Sequence, residues 1–184
     1  MDSLRDMLNA DPIMGAWFSG EPDPLYRYAL WRVWVRRYPL LLVSMLNPST
    51  ADHRKDDPTI RRVIGFAKRD GYGGVIVLNA YAFRATSPKE MFAAVDPDGT
   101  LNRAAKQQAA ELARDSFEGR FPVVLMAHGI HGGVGGRRTF DIFHQAGCDI
   151  RCLGTTKDGS PKHPLYVAGH TPMIAWQPVE CEAA

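Results

Sequence analysis

An apolar run that ends abruptly in a polar side chain is a place where a chain can hold chemistry at the edge of its core. Two such places stand out, with a polar loop further on. The first is Leu46-Asn47-Pro48-Ser49-Thr50-Ala51-Asp52, where a nearly all-apolar run meets Asn-Pro and small polar residues. Proline fixes its own backbone and pushes the residue before it toward an extended shape, which can aim the Asn47 amide into a cleft. The plain alternative is an Asx-capped turn. The second is Val77-Leu78-Asn79-Ala80-Tyr81. The Asn79 amide carries a donor and an acceptor, which suits the edge of a pyrimidine, or else it caps a strand end. The loop is Pro161-Lys162-His163-Pro164-Leu165-Tyr166, where His163 is either a site residue or an imidazole facing solvent.

A fourth segment runs from Val123-Val124-Leu125-Met126-Ala127 into His128-Gly129-Ile130-His131-Gly132-Gly133-Val134-Gly135-Gly136-Arg137-Arg138. Amides of a glycine-rich turn at a helix start can bind phosphate. No Gly-Lys-Ser/Thr follows, so it is not a Walker loop. His128 and His131 could pair on a metal, but no third ligand has a recognisable spacing, and no metal is expected.

The elements that must position these residues are legible as periodicities. Residues 26–35 are aromatic and β-branched and predict a strand. Runs 39–46, 74–79, 121–127 and 148–153 are apolar and predict strands covered on both faces. Helices are predicted over 2–9, 56–71, 98–115 and 137–146, the last after a glycine-rich turn over 132–136. In 56–71, Asp57 is the N-cap, Pro58 lies in the first turn, Gly71 is the stop, and Ile60, Val63, Ile64 and Ala67 share a face. The Pro-, Gly- and Asp-rich stretch 11–24 reads as loop. Strands alternating with helices predict one α/β domain over 1–184. Its architecture is three-layer α/β/α, with a mainly parallel four-stranded sheet and an N-terminal antiparallel strand. Ligands of such sheets bind beyond the carboxyl ends of the strands, which puts all the segments above on one rim.

Taken in order, Leu46-Asn47-Pro48, Val77-Leu78-Asn79 with Arg84-Ala85-Thr86, Leu125 to His131, and His163-Pro164 resemble the uracil-DNA glycosylase superfamily over about residues 40 to 170. The string NPSTAD followed by DDPTIRR also resembles an uncharacterised bacterial and phage domain family. The superfamily resemblance implies a monofunctional DNA glycosylase that hydrolyses the N-glycosidic bond of a flipped-out pyrimidine and needs no cofactor. It implies that Asn47 positions the water, Asn79 reads the base and His163 hydrogen-bonds the departing base. Cleavage builds negative charge on the leaving pyrimidine, and an imidazole donor stabilises it. Asn47 is a poorer base than an aspartate, so the enzyme is expected to be slow. Asp52 or Asp57 could assist, or each is a cap or a solvated carboxylate. Phe66, Tyr81 or Phe83 could stack on the base. Leu165 and Tyr166 could wedge into the vacated stack. Arg54, Lys55, Arg61, Arg62, Arg84, Arg137, Arg138, Lys157 and Lys162 could meet phosphates, although a charge run also marks a plain solvated face.

Three departures from the superfamily pattern bear on the reading. Ser49 stands where uracil-specific members carry a bulky tyrosine, which implies a roomier pocket for thymine-like or C5-modified pyrimidines such as the hypermodified bases of phage DNA. Leu165 and Tyr166 replace a Ser-Pro that grips phosphate. Ser44-Met45-Leu46 lacks the usual glycine. No lysine lies in a rim motif as an amine nucleophile, so lyase chemistry is not expected. The alternatives are hydrolysis or transfer on a free nucleoside or nucleotide, and non-catalytic binding of modified nucleic acid.

Composition narrows the class without choosing among these. The chain has 184 residues, 45% hydrophobic and 23% charged, with a net charge of +2. That is ordinary for a globular domain and lacks the strong basic excess of many nucleic-acid binders, although a local patch is enough. Cys148, Cys152 and Cys181 are odd in number and unpaired in spacing, which suits a reducing compartment. The N-terminus has no basic start followed by an apolar run, and no uncharged run is long enough to span a bilayer. A cytoplasmic protein with DNA as partner, no membrane association and no protein partner is the expectation.

Overall fold

The computed structural model describes residues 3–20, 24–49, 51–116 and 121–179; Thr50 and Cys181 lie outside them. Strands β1 (Met14–Phe18), β2 (Arg27–Val33), β3 (Leu40–Met45), β4 (Gly74–Asn79), β5 (Val123–Met126), β6 (Asp149–Cys152) and β7 (Ile174–Ala175) form one seven-stranded sheet in the order β1-β2-β4-β3-β5-β6-β7. The central run β4-β3-β5-β6 is parallel, and β2 joins β4 antiparallel. These five are the strands the apolar runs predict.

Side chains alternate across the sheet. Leu42, Ile76, Leu78, Val124 and Met126 face one core, with Ala105, Ala109 and Phe143. Leu41, Val43, Val75, Val77 and Leu125 face the other, with Ile60, Val63 and Phe66. The first core is covered by α1 (Leu4–Ala10), α4 (Asn102–Asp115) and α5 (Gly133–Gln145), and the second by α2 (Pro58–Arg69). The fold is therefore three-layer α/β/α. Helix α2 starts where its sequence predicts: Asp57 accepts a hydrogen bond from the Ile60 amide at 2.8 Å, and Pro58 opens the first turn. Gly71 follows its end at a φ of 81°, a conformation open to glycine at little cost.

Four predicted features need correction. The sheet has seven strands because two short antiparallel edge strands, β1 and β7, flank the predicted set. Strand β1 lies in the segment read as loop. Its Gly15 is a packing residue, since a Cβ there would come within 2.1 Å of the Trp31 ring on β2. A short helix, α3 (Pro88–Ala93), was not anticipated; Ser87 caps it and Met91 anchors it. Helix α5 begins inside the glycine-rich segment, not after it. There a Cβ on Gly132 would sit 2.0 Å from His128 Nδ1, one on Gly135 2.5 Å from Tyr81, and one on Gly136 2.7 Å from His128 Nε2. These glycines make room for two buried rings.

Candidate functional site

The chain leaves β3 for α2 on one face of the sheet, whereas it leaves β5 for α5 on the other. Adjacent parallel strands whose connections diverge in this way open a crevice at their carboxyl ends. A cavity of about 740 Å³ lies there, within the size range of ligand pockets. Its wall takes Met45 to Asn47 and Ser49 from the end of β3, Asp57 and Thr59 from the start of α2, and His128 to His131 from the end of β5. The loop after β6 adds Lys162 and His163, and Arg27 comes from the first position of β2.

Asn47 is held in one orientation. Its Nδ2 donates to Ala85 O at 2.8 Å and to Pro48 O at 3.1 Å. Both amide hydrogens are thus committed to the backbone, and the acceptor Oδ1 is what the side chain can offer a ligand or water.

His163 caps the 3₁₀ turn Pro164–Tyr166, and its Nδ1 accepts from the Leu165 amide at 3.4 Å. That bond puts the proton of the neutral ring on Nε2 and makes it a donor. Burial lowers the pKa below the ordinary histidine value, and the Asp57 carboxylate pulls the other way. Asp57 is the one carboxylate among the described residues of the wall.

His128 is the opposite tautomer. Its Nδ1 lies 2.9 Å from Gly129 O and donates to it. Its Nε2 is buried without a partner among the described residues, and the ring meets Trp176 edge-on at 5.9 Å. Burial lowers its pKa, so it is a neutral packing ring.

The structure brings Asn47, Ser49, Lys162, His163 and Tyr166 together on this wall. Tyr166 is 84% exposed, and Leu165 before it in the chain is 43% exposed but is not part of the wall. Several other candidate residues do not reach it. Asn79 is fully buried at the end of β4, in register with Met45, and neither polar atom of its amide has a partner among the described residues. The proposed base reader is therefore sealed beneath the surface, one strand away from the cavity wall. Phe66 is 1% exposed in the core under α2, with the guanidinium groups of Arg62 and Arg69 on its ring. Tyr81 is buried against Phe92, and its hydroxyl accepts from the Gly135 amide at 3.2 Å. Neither ring is open to stack on a base. Phe83 packs edge-on against Tyr26. Arg84 donates to Pro24 O and lies over Phe18. Arg137 pairs with Asp141, and Arg138 pairs with Asp98 beside a separate cavity of about 340 Å³.

Arg27 was missed in the sequence, although a charged residue at the head of an aromatic and β-branched run is a visible signal. It is 1% exposed, and all seven residues of β2 are buried. Asp57 was noted only as a cap with a possible supporting part; it is a cap and a wall residue at once.

A family model matches residues 27–165, from Arg27 through the His163 loop. The chain belongs to the family described as "Protein of unknown function (DUF1643)". The DUF1643 span includes α2, the parallel strands and the wall residues from Arg27 to His163, while α1, β1 and β7 fall outside it. No curated protein and no solved structure matches the chain.

Proposed function

We propose that this DUF1643 domain hydrolyses the N-glycosidic bond of a nucleobase, with a C5-modified pyrimidine in DNA as the leading substrate class. The observation that carries the reading is one shared wall holding an oriented amide acceptor, Asn47, and a neutral imidazole donor, His163. His163 Nε2–H hydrogen-bonds the leaving base as negative charge develops on it. Asn47 Oδ1 accepts from the attacking water and orients it. Asp57 takes the proton that water loses, or stabilises the positive charge growing on the sugar. Ser49 and a cavity larger than an unmodified pyrimidine needs support a substituted base. The exposed Tyr166 on the wall, with its exposed chain neighbour Leu165 and with Lys162, supports a DNA strand as its carrier.

The resemblance to uracil-DNA glycosylases contributes Asn47 and His163 to this reading but not Asn79, so base selection differs from that superfamily. A free nucleotide as substrate is the second reading, favoured by the buried cation Arg27 on the same wall.

The test is incubation with duplex and single-stranded DNAs carrying uracil, mismatched thymine, hydroxymethylated or glucosylated pyrimidines, scored for alkali-labile sites and free base. Base release abolished by His163→Ala, with DNA binding retained, supports the proposal. No base released from any DNA or nucleotide overturns it.

A further inference from the structure

Strand β2 carries two buried arginines, and they differ in a way that points to a ligand. Arg32, 4% exposed, has a partner on each guanidinium nitrogen. Its Nε donates to Asp56 at 2.8 Å, its Nη1 to Trp31 O at 2.8 Å, and its Nη2 to Asp52 O at 2.7 Å. It ties the loop after β3 to the sheet. Arg27, at 1%, is more deeply buried and far less satisfied. Its Nη1 donates to Ala51 O at 2.7 Å, its Nε has no partner, and no ion pair is formed among the described residues. A guanidinium presents five donors in a planar fork that matches the oxygens of a carboxylate or phosphate. Burying one without an anion is costly, because its charge and its donors lose water and gain little in return. Arg27 also lines the 740 Å³ cavity, where Arg32 does not.

We propose that Arg27 is an anion receptor, and that the ligand of this cavity is a nucleoside carrying an oxyanion that docks on the buried guanidinium. The proposal takes from the functional reading only that the ligand is a nucleoside. Burial lowers the Arg27 pKa to about 10, with Asp57 opposing that shift, Arg84 and Arg32 adding to it and Asp52 opposing it weakly, so the group is still charged at neutral pH. Lys162 on the same wall adds a second cation. The oxyanion has two chemical sources: the 5′-phosphate of a free nucleotide, or an acidic substituent on the base itself.

Isothermal titration of the intact chain with 2′-deoxycytidine, 2′-deoxycytidine 5′-monophosphate and 5-carboxy-2′-deoxycytidine separates the sources. At least one anionic nucleoside is expected to bind about 10-fold or more tightly than the neutral one, as a charge-assisted bidentate contact would give. Tighter binding of the monophosphate identifies a nucleotide ligand, and tighter binding of the carboxylate an acidic base. Arg27→Gln is expected to erase the preference, so that the anionic nucleosides bind no more tightly than 2′-deoxycytidine. Arg32→Gln, by contrast, is expected to lower Tm. Equal binding of neutral and anionic nucleosides by the wild-type chain overturns the proposal, without recourse to a variant that must fold. So does a preference that survives Arg27→Gln. These heats need no bond cleavage, so an anion preference without base release would sink the hydrolase reading and leave the receptor standing.

Discussion

The chemistry at the level of single residues turns on which proton each polar group has left to give. Asn47 has spent both amide hydrogens on Pro48 O and Ala85 O, whereas His163 keeps an Nε2 proton because Leu165 holds its other nitrogen. Base release should therefore need neutral His163. Burial lowers its pKa, so the rate should fall only in solution more acidic than an ordinary histidine would require, as protonation of Nδ1 breaks the bond from Leu165. Single-turnover rates against pH check this, and His163→Gln should cost roughly 100-fold or more. Asp57 combines two roles that substitution can separate. Asp57→Asn preserves a good helix cap, so stability should change by less than about 0.5 kcal/mol while base release drops; Asp57→Ala should also lose about 1 kcal/mol of stability. Denaturant titration of both variants beside the activity assay makes the comparison.

At the level of elements, the glycine-rich start of α5 is shaped by the rings beneath it. A Cβ on Gly136 would sit 2.7 Å from His128 Nε2, and the ring is already confined by Trp176. Gly136→Ala should therefore destabilise by about 1–3 kcal/mol through overpacking. In a His128→Ala background the same change should become stabilising by up to about 1 kcal/mol, because alanine is the better helix former and the obstacle is gone. A double-mutant cycle in urea reads the reversal of sign. The cycle also separates packing from a phosphate-binding turn, which would show the loss through ligand affinity instead.

Across the whole molecule, pH sensitivity comes from groups folded away from water on both sides of the sheet. Lys106 on α4 is 3% exposed, and its Nζ donates to Ala80 O at 3.3 Å. Burial lowers its pKa to about 7, whereas the unfolded chain keeps the ordinary value of 10.5. Between those values the unfolded chain binds more protons, so stability rises as pH rises from about 7 to 10.5. Below pH 7 the full penalty of the buried charge is present. His128 and His163, also lowered by burial, add a further loss that begins as pH falls below the ordinary 6.5 and is complete at their folded-state values. Lys106→Met should remove the alkaline part of this dependence and raise stability near pH 7 by about 1–4 kcal/mol. Ala80 O keeps the Asn102 amide as a donor at 3.1 Å, so no carbonyl is left unpaired. Thermal melts of both chains from pH 6 to pH 10 would reveal whether the two stability curves converge.

Much of the architecture was determined by the sequence alone. Runs such as 39–46 and 74–79 are too apolar to face water on either side, so they had to become central parallel strands. Asp57-Pro58 had to start a helix, because the Asp57 carboxylate accepts from the Ile60 amide and proline, lacking an N–H, leaves no exposed donor at the first position. The rim location of Asn47 and His163 followed from those elements. What the sequence left open was everything set by contacts distant along the chain. Asn47 and Asn79 look alike as strand-end amides, yet one reaches a cavity and the other is sealed, because strand register puts Asn79 beside Met45 under the neighbouring layer. Glycines that read as a loop or turn were space for Trp31, His128 and Tyr81. Arg27 and Arg32 look alike on one strand, but the loop after β3 gives Arg32 the Asp56 carboxylate and Asp52 O and gives Arg27 only Ala51 O, at the edge of a cavity. Hydrophobic periodicity is local and can be read along the chain; the pairing of polar atoms depends on which segments the folded sheet brings together.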